Sequence, residues 1–331
     1  MDTIGNIWIW SAFLALLVVA LAVDLLVLRT KGAKKVSFKE ALNWSIAWVA
    51  LSLLFNLGLW YYLRQTLPPE IADEKALQFL TGYLIEKSLA VDNIFVFLMI
   101  FTFFGVPLAY QRKVLIIGVI GAIILRTILI LIGAWLIAQF HWILYLFGAI
   151  LLFTGVKMLL FAEQEANLEE NPLLKFMRRH MKITSEYHQE KFWIFKDGVR
   201  WFTPLFAVII MIAITDVIFA VDSIPAIFAV TLDPFIVLTS NLFAVLGLRA
   251  MYFMLADLAE RFHLLKYGLA FILIFIGIKM VLIDVYKIPI GFALAVVGIV
   301  LVTSVLASLW VTRPGQKKPA LPGEAEADKA R

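Results

Sequence analysis

The sequence predicts an all-α, polytopic helical membrane protein with nine transmembrane helices and an inverted three-plus-three repeat. Three observations carry that expectation. Hydrophobic residues make up 63% of the 331 and charged residues only 16%, with a mean hydropathy of +0.93. A soluble domain of this length could not bury so much apolar surface. Apolar runs of about 20 residues, enough to cross a bilayer, recur along the chain. The tripeptide Ala-Val-Asp lies inside such a run at 90–92 and again at 220–222, each time with a second acid six residues upstream, Glu86 and Asp216.

The first run, 8–28, reads as a retained helix. Asp2 precedes it with no Lys or Arg, whereas Arg29, Lys31, Lys34 and Lys35 follow it, the reverse of a signal peptide. Further spans are expected at 41–63, 77–104, 114–138, 142–162, 204–230, 235–256, 264–284 and 289–311, so that residues 1–312 form one transmembrane domain. The long connection 163–203 has structure of its own. Asn171-Pro172 suits a helix start, after which Leu174, Met177 and Met181 share one face and Lys175, Arg178, Arg179 and Lys182 the other, as in an in-plane interfacial helix. Lys196-Asp197-Gly198 between two aromatic stretches suits a hairpin turn. Residues 313–331, rich in Pro, Gly, Ala and charge, read as a disordered tail.

Charge sets the orientation. Connections 29–40, 105–113, 163–203, 257–263 and the tail are rich in Lys and Arg, while the opposite side holds only Arg64, Lys75 and Lys287. The positive-inside rule therefore places the N-terminus outside and the C-terminus in the cytoplasm. The formal charge of +5 follows from this loop placement and does not point to nucleic acid.

The chain repeats itself. Residues 86–92 match 216–222, Leu125-Arg126 matches Leu248-Arg249, Phe140-His141 matches Phe262-His263, and Gly155-Val156-Lys157-Met158 matches Gly277-Ile278-Lys279-Met280. Each unit covers three spans, the third to fifth and the sixth to eighth. Three is odd, so the second unit is inverted, an arrangement used by transporters with a site near the midplane.

A carboxylate at the bilayer centre costs roughly 2.5–3.5 kcal/mol on insertion scales, yet Glu86, Asp92, Asp216 and Asp222 all lie there. Asn93, Ser223 and Thr215 add oxygen ligands beside them. Asp24, in Ala22-Val23-Asp24, is held as an accessory acid. The spans also carry Lys87, Arg126, Lys157, Arg249 and Lys279. Lys157 and Lys279 lie near helix ends and can snorkel; Arg126 and Arg249 are candidate counter-charges that either neutralise empty carboxylates or lock helices together. Pro225 removes a backbone donor and opposes the carbonyl of Val221, which predicts a break or sharp bend of the sixth span between Asp222 and Pro225, and a related irregularity of the third near Asp92-Asn93. Asp92 and Asp222 are then expected to approach a common point.

With no cysteine, and with its four histidines between the apolar runs, the chain lacks preferred zinc or copper ligands. Oxygen ligands suit Mn²⁺, Mg²⁺ or Ca²⁺, and a proton or Na⁺ also. No intramembrane aspartate has the Gly-x-Gly-Asp context of an aspartyl protease, so no enzyme and no prosthetic group is expected.

The stretches Tyr83-Leu84-Ile85-Glu86-Lys87-Ser88-Leu89-Ala90-Val91-Asp92-Asn93 and Asp216-Val217-Ile218-Phe219-Ala220-Val221-Asp222-Ser223-Ile224-Pro225-Ala226 resemble the TerC family of bacterial inner-membrane proteins, closest to its Alx branch. The resemblance implies Mn²⁺ as the transported ion, with the lipid bilayer and that ion as partners. It also implies Glu86, Asp92, Asn93, Asp216, Asp222 and Ser223 as the ion-handling positions. Family members often carry an acid three residues before the position of Asp216, where this chain has Ala213. The resulting expectation is an inner-membrane Mn²⁺ exporter, with a proton suited to drive it because carboxylates exchange metal for H⁺. The competing expectation, in keeping with the family's tellurium-resistance label, is a membrane scaffold or stress-response partner acting through the cytoplasmic loop and tail.

Overall fold

The computed structural model describes residues 3–31, 38–160, 172–184, 186–196, 198–256 and 264–311. The tail beyond 311, and with it the expected disorder of 313–331, lies outside the described residues, as do 161–171 and 257–263. In chain order the elements are α1 (Ile7–Lys31), α2 (Phe38–Thr66), α3 (Pro69–Phe103), α4 (Leu108–Gln139), α5 (Ile143–Leu160) and α6 (Pro172–His180). Then come β1 (Trp193–Lys196), β2 (Val199–Phe202), α7 (Pro204–Phe228), α8 (Pro234–Val245), α9 (Leu248–Ala256), α10 (Leu265–Val281) and α11 (Ile290–Val311). Several starts are punctuated by proline in the first turn, at Pro69, Pro204 and Pro234, where its missing N–H is no loss. Among the described residues seven helical segments are long and apolar enough to cross a membrane, with α8 and α9 counted as one. The helix α10 has 17 residues, and α3, although 35 residues long, carries Glu86, Lys87 and Asp92 at its centre; neither is among the seven.

The core forms where α3, α4, α7 and α8 meet. α3 packs on α8 and α7, and α4 packs on α7 and α8. Every residue of α8 from Phe235 to Val245 is buried, so that a chain of backbone runs through the middle of the protein without touching its surface. Leu54, Leu57, Ile124, Leu131, Phe153, Ile299 and Val302 project outward from the surrounding helices, a face suited to hydrocarbon rather than water.

The closest helix pair is α5 with α10, and glycine sets the distance. A Cβ on Gly155 would lie 2.9 Å from the carbonyl oxygen of Ala270, one on Gly148 3.2 Å from that of Gly277, and one on Gly277 3.0 Å from that of Gly148. Small residues let backbones approach in this way, which is how helices associate where no hydrophobic force drives them together.

The two ends are tied differently. At one end Asp233 caps α8 by accepting from the N–H of Phe235 at 3.1 Å. It also takes the Thr3 hydroxyl at 2.9 Å, the Ile4 N–H at 3.0 Å and the Lys75 ammonium at 3.2 Å. At that end, too, the turn between α4 and α5 meets the segment after α10. There Asp284 accepts from Tyr145 Oη at 2.6 Å and lies 3.0 Å from His141 Nε2, contacts that hold its carboxyl below the usual range. At the other end the helix and hairpin expected within 163–203 are present. Leu174 and Met177 of α6 are buried while Lys175 and Arg179 are exposed, and β1 pairs antiparallel with β2, Lys196 opposite Val199. Tyr187 Oη donates to the carbonyl of Phe104 at 2.7 Å, fixing this segment against the turn between α3 and α4.

Three expectations are corrected. The span 235–256 is two helices, parted at Leu246-Gly247. Gly247 has φ +82°, and a Cβ there would sit 2.7 Å from the ring of Trp48, so the turn demands glycine on both counts. The sixth span is not broken at Pro225: α7 runs continuously through Asp222 to Phe228. Pro225 lies in its last turn with only Ala226, Ile227 and Phe228 beyond it, so its lost hydrogen bond and its clash with the Val221 carbonyl act on little helix, and the residues from Ser223 to Phe228 are all buried. Nor is α3 irregular near Asp92-Asn93; it runs from Pro69, eight residues earlier than expected, to Phe103.

The α5–α10 contact yields a direct test. Gly155→Ala is expected to lower stability by about 1–3 kcal/mol through overpacking. Gly291→Ala on α11, where nothing lies within 4 Å of the added methyl, should stay within about 0.5 kcal/mol of wild type. Thermal melting of the detergent-solubilised protein distinguishes the two; equal melting would mean that α5 and α10 can separate freely.

Candidate ion-handling site

Depth in the fold is what makes this site unusual. Glu86 on α3 has no exposed surface, Asp216 on α7 is 5% exposed, and Arg126 on α4 is fully enclosed between them. Arg126 Nη1 donates to Glu86 Oε1. The same nitrogen lies 3.3 Å from Asn241 Oδ1 of α8, and Nη2 donates to Asp216 Oδ1 at 3.2 Å. One guanidinium thus joins four helices and two carboxylates, the first acid of each copy of the repeated motif. The rigid planar fork suits this task, whereas a lysine would present a point charge.

The cluster is incomplete in two respects. Two carboxylates against one guanidinium leave an excess of one negative charge in a buried place. Glu86 Oε2, Asp216 Oδ2 and Asn241 Nδ2 are all buried with no hydrogen-bond partner. A buried, unpaired oxygen of a charged group is costly, and a cation or proton taken up at Glu86 Oε2 or Asp216 Oδ2 would offset the excess charge and satisfy that oxygen.

The second acids lie elsewhere. Because α7 is unbroken, Asp222 stands about 9 Å further along the axis than Asp216 and about 120° round it. There it accepts from Thr154 Oγ1 of α5 at 2.8 Å, with the charge of Lys157 close enough to act on it. Ser223 is buried with its hydroxyl unpartnered, and Asn93 is buried on α3. The side chain of Asp92 lies outside the described ones, so the expected meeting of Asp92 and Asp222 is not tested. Among the described residues no three His, Cys, Asp or Glu side chains are grouped to hold a metal.

The counter-charges divide. Arg126 pairs with the first acid of each motif copy, a contact that fits both of its expected roles. Arg249, in the first turn of α9, instead gives Nη2 to Asp24 of α1 at 2.6 Å, which makes Asp24 its ion-pair partner and ties α1 to the half-helix α9. Two contributors were not singled out from sequence as site residues: Asn241 and Thr154. Asn241 could have been found, since Ser240-Asn241 interrupts an apolar run at its centre. Thr154 had no such signal, because threonine is common in membrane helices and bonds its own backbone there.

Apolar helices packed around a deeply buried acid cluster define a polytopic integral membrane protein. The chain belongs to the TerC family: residues 71–316 match the profile described as the integral membrane protein TerC family. It is similar to the Alx protein of Salmonella typhi, named as a candidate membrane-bound redox modulator, at 56% identity over 96% of this chain and 99% of the relative. The protein of that name in Escherichia coli K12 is 57% identical over 94% and 97%. An uncharacterised membrane protein of Myxococcus xanthus is 45% identical over 94% and 95%. No solved structure matches the chain.

The geometry predicts an asymmetric response to losing the two arginines. Arg126→Met leaves Glu86 and Asp216 both buried and unpaired, an expected loss of roughly 3–5 kcal/mol. Adding Glu86→Gln to that variant should restore part of the loss by removing one of the stranded charges. Arg249→Met should cost less, because Asp24 keeps 16% of its side-chain surface exposed. Melting of the three variants checks the order; a double variant no more stable than Arg126→Met would contradict the charge argument.

Proposed function

We propose that this chain exports divalent manganese from the cytoplasm across the bacterial inner membrane by alternating access, with carboxylates that exchange metal for protons. The observation that carries this reading is the buried cluster of Glu86, Asp216 and Arg126, with one uncompensated negative charge and one free oxygen on each acid. Arg126 holds the acids while no cargo is bound. An arriving cation meets the free oxygens, weakens the hold of the guanidinium, and releases it toward Asn241. On the far side protonation of the carboxylates expels the metal. Asp222 with Thr154, together with Asn93 and Ser223, lines the route along α7 and α3, and Asp92 is kept among the ion-handling positions on its place in the motif.

The reading includes nine crossings, the seven apolar segments together with α3 and α10, and an N-terminus on the periplasmic side. It also includes the inverted repeat of α3–α5 with α7–α10. Packing supports that symmetry, because the contacts occur as exchanged pairs: α3 lies on α8 as α7 lies on α4, while α3 with α7, α4 with α8 and α5 with α10 are each contacts between counterparts. Exchanged contacts of this kind are what an inverted repeat requires. Manganese is favoured over zinc or copper by the oxygen-only ligands available. The redox role in the names of the Alx relatives has no thiol to work through in a chain without cysteine; any effect on redox state would follow from the metal exported.

Metal uptake into inside-out vesicles tests the reading. Glu86→Gln, Asp216→Asn, Asp92→Asn and Asp222→Asn should each lower the initial rate of Mn²⁺ uptake by about tenfold or more, while the proteins still insert, since each change removes a charge that opposes insertion. Zn²⁺ should compete poorly with Mn²⁺. Normal uptake by all four variants would favour instead a scaffold acting through its cytoplasmic loop.

A further inference from the structure

Lys87 follows Glu86 in the sequence but does not share its fate. Successive residues on a helix diverge by about 100°, so Glu86 turns to Arg126 and Lys87 turns to the interruption between α8 and α9. There its Nζ donates to the carbonyl of Ala244 at 3.1 Å and approaches that of Leu246 at 3.4 Å. Among the described side chains no carboxylate pairs with it, and its nearest aromatic neighbour is the ring of Tyr83, with the centroid 6.0 Å away.

The last carbonyls of any helix lack intrahelical donors, and at membrane depth such groups persist only where protein, water or an ion meets them. The positive φ of Gly247 turns the chain so that Ala244 and Leu246 present their oxygens to one side. The carbonyl of Leu242, by contrast, is taken by the Leu246 N–H at 2.9 Å, and that of Gly247 by Met251 at 2.9 Å. The end of α8 also carries the negative pole of its dipole. Freed carbonyls at the C-terminal end of a broken transmembrane helix are the arrangement with which transporters coordinate a monovalent metal ion. Here an ammonium sits on them. A compact point charge with three donors is the side chain that most nearly imitates such an ion.

We infer that Lys87 is a tethered cation in a monovalent-cation site formed by the Ala244 and Leu246 carbonyls, so that the break between α8 and α9 needs no sodium or potassium, and that removing the ammonium opens the site to either ion. Lys87 is only partly buried, which leaves a route for an ion and for the waters that would complete its shell. The inference stands on the geometry of the α8–α9 break and does not depend on the identity of the transported metal.

The test melts the purified full chain in NaCl, KCl and N-methylglucamine chloride at equal ionic strength. Wild type is expected to melt at the same temperature in all three. Lys87→Ala should melt about 3 °C or more below wild type in N-methylglucamine and regain most of that loss in NaCl or KCl. Lys87→Gln keeps two donors for the two carbonyls without the charge; it should accumulate and be indifferent to the cation. The inference is overturned by a sodium or potassium effect on wild type or on Lys87→Gln. It is equally overturned if the deficit of Lys87→Ala is the same in all three salts, or if that variant cannot be recovered in any of them. Because no manganese is used, the result stands apart from success or failure of the export assay.

Discussion

One guanidinium holds the centre of this protein together. Arg126 reaches Glu86, Asp216 and Asn241 at once, and so joins α3, α4, α7 and α8, the four helices that make the core. Each of those charges alone would be expelled from a low-dielectric interior. Placed together they define where the helices must sit, because small shifts strand a charge. Stability is not the evident gain from such a cluster, since an apolar core of the same volume would serve as well or better. Its value lies in the imbalance that remains, two acids to one base.

The backbone follows the same rule as the side chains: every interior polar group needs a partner. α8 is wholly buried and then stops at a glycine turn, and the lysine beside Glu86 meets the carbonyls so exposed. Asp233 performs the opposite service at the start of the same helix, accepting from the N–H of Phe235 at the positive end of the dipole. A short interior helix is thereby met at its first turn by the acid that immediately precedes it and at its last by a base from another helix. The continuous α3 and α7 carry acids at two levels, so Asp216 and Asp222 serve different neighbours, Arg126 and Thr154.

Around this core, close approach is governed by size more than by chemistry. Gly155 of α5 and Gly277 of α10 occupy matched positions in the repeated sequence, and each admits the backbone of the other helix, Gly155 at Ala270 and Gly277 at Gly148. The matched Gly-Val-Lys-Met and Gly-Ile-Lys-Met segments were legible as a repeat. That both glycines serve one contact between these two helices was not, because periodicity within one helix carries no information about which helix it meets.

Much of the architecture could be read from the chain itself. Apolar run length fixes where helices lie, since lipid leaves the backbone few alternatives, and the rare acids at 86, 92, 216 and 222 stand out because their cost is high. Asn171-Pro172 and Lys196-Asp197-Gly198 announced a helix and a hairpin through local turn chemistry. Local chemistry misled at Pro225, where a proline in the last helical turn proved harmless, and was silent at Gly247, since one glycine in an apolar run has many uses. Pairing was beyond reach: that Arg126 takes both first acids, Arg249 takes Asp24, and Lys87 covers a broken helix are long-range choices between charges with similar sequence surroundings. Sequence alone determined that apolar helices long enough to cross a membrane recur along the chain and which charges lie within them. Only the tertiary structure decided the partners, because each is set by distances between helices that no single segment contains.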